Sequence, residues 1–195
     1  MKVILANARH VTRAALLTTV VALAACGVPG DHSSDAATVN GVAISRDAWQ
    51  KVVDGSQKSL ELRGIPSDSK TADGRRRLEA SQVAALRELI REEVYQQMAR
   101  EKNLSVSDKE IDQSIKDLDA TLGSHAALEA KLDSAGQTDA DLRHLIYVNT
   151  LRLKLRQGNT NFSADLDKRL RNGIQAYVGP CATNHAWPQC TGQDP

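Results

Sequence analysis

The sequence predicts a mainly α-helical protein: a compact bundle of about five to six helices with a small N-terminal β-hairpin, which a C-terminal strand could join. Three observations carry that expectation. Aromatic residues make up only 3% of the 195-residue chain, whereas sandwiches and barrels recruit aromatic and β-branched side chains. Apolar residues recur at steps of three or four along most of the length, which is the period of a helix. The stripes so formed open at Ser or Thr and close at Gly or Asn, the residues that satisfy helix ends. Apolar residues at 41% and charged residues at 25% are ordinary globular proportions, so the composition is not that of a disordered chain.

The elements follow in order. Residues 1–25 read as an export signal: Lys2, Arg9 and Arg13 form a positive start without an acid, and Ala14–Ala25 is an apolar run. That run is far shorter than the about 20 residues a spanning helix needs. It ends in Leu23-Ala24-Ala25-Cys26, which resembles the bacterial lipoprotein box, with small residues before the bond to be cut. Cys26 is then the lipid attachment site, and a diacylglycerol on its sulfur would hold the protein to a bilayer at about 0.8 kcal/mol per buried methylene. An ordinary secretory signal or an uncleaved anchor are the competing readings. Residues 26–37, rich in Gly, Ser, Pro and Asp, read as a flexible tether.

The body is expected over residues 38–178. Asn40-Gly41 between Val39 and Val42 signals a tight hairpin, because both turn residues need positive φ. Ser45 caps a short helix through about Ser56 with Trp49 and Val53 on one face, and residues 57–73 read mostly as loop. The clearest helix runs from about Gly74 to Lys102, with Val83, Leu86, Ile90, Val94 and Met98 as its apolar stripe. Ser107 and Glu110 match a capping box before a helix carrying Ile111, Ile115, Leu118 and Leu122, closed by Gly123. Ser124 opens a fourth helix that ends at Gly136. Thr138 opens a fifth, whose Leu142, Leu145, Ile146, Val148, Leu151, Leu153 and Leu155 spread around the circumference, as in a centrally packed helix. Ser163–Asn172 read as a last short helix, and Ile174–Val178 alternate like a strand. Residues 179–195 read as a tail held by a disulfide between Cys181 and Cys190, the only thiols left once Cys26 is lipidated. A metal site from Cys181, His185 and Cys190 fits no zinc spacing, and free thiols are the other alternative.

Val39–Ser45 with Trp49, Leu86–Val94, Ala99–Asp112 and Ala135–Arg143 together resemble the N-terminal helical domain of the SurA family of extracytoplasmic chaperones, found also in PrsA-type foldase lipoproteins. The resemblance spans about residues 38–156 and rests on the order of the pieces, since each alone is a capping or core signal. It implies a chaperone module. In such relatives a parvulin-type prolyl isomerase domain commonly follows the long helix; the 39 residues after Arg156 are too few for one.

The chemistry points the same way. No GxSxG elbow, HExxH or phosphate loop occurs, so the chain is expected not to be an enzyme and to need no cofactor. Without residues 1–25 the basic residues number 22 against 24 acidic, a formal charge of −2, which argues against nucleic acid. Arg75, Arg76 and Arg77, Glu92 and Glu93, and His144 read as solvated. The expected partners are unfolded or partly folded exported polypeptides, together with a bilayer through Cys26. Tyr95, Met98 and Tyr147 are the candidate peptide contacts, with ordinary core packing as the competing reading of each. The expected location is outside the cytoplasm on the envelope membrane, and a non-catalytic adaptor for one envelope protein is the alternative function. Oligomeric state and client identity are not legible.

Overall fold

Strand β1 (Asp35–Val39) turns at Asn40-Gly41 into β2 (Val42–Ser45) in the computed structural model, which describes residues 31–66, 70–157 and 159–192. Asn40 and Gly41 have φ of 51° and 81°, the paired positive values that make Asn-Gly the preferred two-residue turn. Six helices follow: α1 (Arg46–Leu62), α2 (Ala72–Glu101), α3 (Asp108–Leu122), α4 (His125–Ala135), α5 (Asp139–Gln157) and α6 (Phe162–Leu170). Strand β3 (Ile174–Ala176) then pairs antiparallel with β1, giving a three-stranded sheet of order β2-β1-β3. The fold is therefore mainly α, with the C-terminal strand joined to the N-terminal hairpin. Residues 1–25, expected to be an export signal, and Cys26 lie outside the described residues.

The helix ends follow the expected chemistry. Ser45, Thr71, Ser107 and Ser124 each accept a backbone N–H of the first turn of α1, α2, α3 and α4, satisfying donors that a helix start leaves without partners. The capping box is complete: the Ser107 N–H donates to Glu110 Oε2 at 2.9 Å and the Glu110 N–H to Ser107 Oγ at 3.4 Å. Thr138 and Asp141 repeat that exchange at the start of α5, with Thr138 Oγ1 donating at 2.7 Å. Gly123 and Gly136 close α3 and α4 in the left-handed conformation.

Three boundaries differ from expectation. The tether reading of 26–37 ran too far, because β1 starts at Asp35 and both Ala36 and Ala37 are fully buried. A register irregularity between Asp35 and Ala37 breaks the in-out alternation of the strand, so these two small residues did not read as a half-buried strand. Helix α1 continues six residues past Ser56, through what had read as loop. Its stripe runs on through half-buried Gln57 and Leu60, and Ser56 Oγ donates to Ser81 Oγ on α2 at 3.1 Å, so polar side chains hid the period. The tail is part of the body rather than a loop pinned by a bridge. Trp187 and Cys181 are 4% and 0% exposed inside the main core, Ala186 bridges to Gln175 of β3, and the Cys181–Cys190 disulfide is present.

The core has two parts. The larger lies between the sheet, α1, α2, the second half of α5, α6 and the tail, centred on Leu86, Ile90, Val94, Met98, Leu151 and Leu155. The smaller joins α3, α4 and the start of α5 through Ile111, Ile115, Leu128, Leu142 and Ile146. Helix α5 serves both, which accounts for its wide distribution of apolar residues. At the sheet end, Gly173 accommodates the hairpin turn: a Cβ there would lie 2.1 Å from Asn40 Oδ1, and φ is +72°. The Asn40 N–H donates to the Gly173 carbonyl at 2.7 Å.

Candidate functional site

Packing α2 against both the sheet and α5 uses one side of a helix thirty residues long and leaves part of its remaining surface uncovered. Trp49 fixes its N-terminal half to α1, the indole Nε1 donating to the Gln82 carbonyl at 3.1 Å. Leu151 and Leu155 of α5 pack into the same core as Ile90 and Val94. Between this contact and the exposed first turns of α2 lies an open groove of about 390 Å³. Val83, Ala84, Tyr95 and Val148 give it an apolar floor, while Arg87, Glu88, Arg91, Glu92, Asn149 and Arg152 form the walls. A floor of aliphatic side chains with charged walls can accept an apolar side chain and keep its backbone wet.

The electrostatics of the walls are uneven. Glu92 is held in place, with His144 Nε2 at 2.9 Å from Oε2 and Gln96 Nε2 donating to Oε1 at 3.0 Å. Burial raises the Tyr95 phenol above its usual value, while the guanidinium groups of Arg91 and Arg152 pull it down. Two large apolar side chains of α5, Leu145 and Leu153, are half exposed at 50% and 49%. Among the described residues no group of three His, Cys, Asp or Glu side chains is placed to hold a metal ion, and no helix is long and apolar enough to cross a membrane.

The candidate peptide contacts separate. Met98 is fully buried and belongs to the main core, so its reading as a surface contact is corrected: it sits on the same stripe as Val94, under the sheet and α6. Tyr95 is 5% exposed and stacks near Phe162 of α6 with ring centroids 6.2 Å apart, yet its edge contributes to the groove. Tyr147 is half-buried and packs against both parts of the core. The exposed side chains that line the groove, Ala80, Ala84, Glu88, Arg91 and Arg152, were not anticipated. Their only sequence signal was small and cationic residues on the polar sides of α2 and α5, which any solvated face shares. Of the arginine run, Arg76 pairs with Asp73 and Arg77 donates to the Pro66 carbonyl at 2.8 Å.

No curated protein and no solved structure matches the chain. The model of the family described as SurA-like N-terminal domain matches residues 1–156, a span that takes in the hairpin, α1 to α4 and nearly all of α5. The SurA N-terminal domain by itself is a non-catalytic, chaperone-type module of extracytoplasmic proteins. With its capped helices, its hairpin docked on the long α2 and its domain match across most of the length, this chain belongs to the SurA-like N-terminal domain family.

Proposed function

We propose that the protein is an extracytoplasmic lipoprotein, anchored to the envelope membrane through Cys26, that holds unfolded exported polypeptides without catalysing a reaction on them. The α2–α5 groove carries this reading. It offers apolar surface at Val83 and Ala84 of α2 and Val148 of α5, on helices whose other sides are locked into the core. A binder of non-native chains needs that combination, a rigid scaffold with a forgiving surface. Tyr95 and Tyr147 are the aromatic contacts in this account, the first from the groove floor and the second from the flank of α5. The disulfide between Cys181 and Cys190 supports an oxidising compartment, where such bonds persist.

The test uses the mature protein, beginning at Cys26, added to a chemically unfolded client as the denaturant is diluted. Light scattering should fall as the protein is raised to a several-fold excess. The rate of prolyl isomerisation in a proline-limited refolding reaction should stay at its spontaneous value. Undiminished scattering at that excess contradicts the reading. Mass spectrometry of the mature N-terminus tests the anchor, with a diacylglyceryl mass on Cys26 as the expected result. Crosslinking in cells followed by identification of captured chains separates a holdase, with many unrelated clients, from an adaptor with one stoichiometric partner.

A further inference from the structure

The walls of the groove carry three guanidinium groups against two carboxylates. Of its two carboxylates, Glu92 is engaged by His144 and Gln96, and Glu88 is exposed. Arg91 and Arg152, one from each helix, make no ion pair or hydrogen bond among the described residues. Both line the groove with Tyr95, and their charge lowers its phenol's pKa against the larger effect of burial. Tyr95 is 95% removed from solvent, at 5% exposure, and its hydroxyl has no hydrogen-bond partner among the described residues. Arg87 adds a third guanidinium to the same walls. The guanidinium groups of Arg91 and Arg152 and the Tyr95 side chain line one groove with Val83, Ala84 and Val148, and guanidinium with phenol is a donor set that matches a carboxylate.

The groove follows α2 from Ala80 to Tyr95, about 22 Å at the helical rise. An extended chain covers that length with about seven residues. A segment crossing it would set apolar side chains on Val83, Ala84 and Val148 and carry its charge at the Tyr95 end. We infer that the groove selects, among extended non-native segments, those with an acidic side chain next to apolar ones, the carboxylate being received by Arg91, Arg152 and the Tyr95 hydroxyl. This deepens the polypeptide-binding reading and rests on it.

The experiment measures fluorescence anisotropy of labelled nonapeptides of Ala, Leu and Val, with both termini blocked and Asp, Asn or Lys at the centre, against the mature protein. The Asp peptide should bind about tenfold tighter than the Asn peptide, with the Lys peptide weakest, and the gap should narrow at high salt. Replacing both Arg91→Gln and Arg152→Gln should abolish the Asp–Asn difference. Tyr95→Phe, which keeps the ring, should narrow the difference. Equal affinity for the Asp and Asn peptides overturns the inference, as does a difference that survives in the double variant. An Asn peptide with a free C-terminal carboxylate that matches the Asp peptide also overturns it, by assigning the site to chain ends. If the Asn peptide binds and Asp adds nothing, only the selectivity falls. If no peptide binds, the polypeptide-binding reading falls with it.

Discussion

Tyr95 and Met98 are neighbours on one helix face, three positions apart, and their different fates show what decides a side chain's role. Met98 lies at the centre of the α2 stripe and is fully enclosed; Tyr95 lies at its margin, where the ring is enclosed and the edge meets the groove. The 3.6-residue period placed Met98 on the stripe, and that evidence outweighed any preference of Met for adaptable surfaces. Periodicity tells which side chains share a face, but not where the covering elements stop. Met98→Ala should therefore cost about 2–5 kcal/mol of stability, the range for emptying a large buried site, as read by urea denaturation. Aggregation suppression per folded molecule should not change. His125 offers a second test at this scale. Its Nδ1 lies 3.1 Å from Asp119 Oδ1, and that hydrogen bond, followed by the carboxylate's charge, raises its pKa above the usual imidazole value. The stabilisation is thus fully present below about pH 6.5 and lost as pH rises through the raised value. Titration by NMR should show the elevated value in the parent protein and its return toward normal in Asp119→Asn.

Among the elements, α3 was read most completely. Its capping box, its stripe of Ile111 and Ile115 and its stop at Gly123 are all local signals, and the structure uses each of them. Helix α1 was cut short because polar residues occupy the positions where its stripe continues, and only contacts with α2 make those turns worth ordering. The tail was misjudged for a related reason. Burial of Trp187 and Cys181 depends on the distant sheet and α2, and a short run with Gly and Pro carries no periodicity. Glu110 shows how a local cap also joins elements. A hydrogen bond from Lys154 of α5, with those from Ser107, lowers its pKa from 4.5 to about 2, and Lys154 Nζ also donates to the Ser105 carbonyl at 2.7 Å. A depressed carboxyl pKa stabilises the fold above the unfolded value and loses that contribution as pH falls toward 2. Glu110→Gln should accordingly lower the thermal midpoint at pH 7, and the gap to the parent protein should close on acidification.

For the whole molecule, the long-range organisation is a single scaffold in which hairpin, α2, α5, α6 and tail share one core, with α3 and α4 as a second packed part. The disulfide closes a short loop at the edge of that scaffold, and replacing both Cys181→Ser and Cys190→Ser should cost about 2–3 kcal/mol, measurable by denaturant unfolding. The fold class was legible because caps, stops and stripes are local. The groove was not, because it arises where α2 outruns its partners, and its walls use residues that look like any solvated surface. The central claim is that this groove receives non-native polypeptide, and Ala84 is the place to test it, since it is exposed on the floor and touches no core residue's role. The most direct measurement compares light scattering of a refolding client in the presence of the parent protein and of Ala84→Trp, whose indole would fill the groove. Matched thermal midpoints with aggregation suppression reduced at least several-fold in the variant is the predicted result. Equal suppression by the two folded proteins would contradict the account.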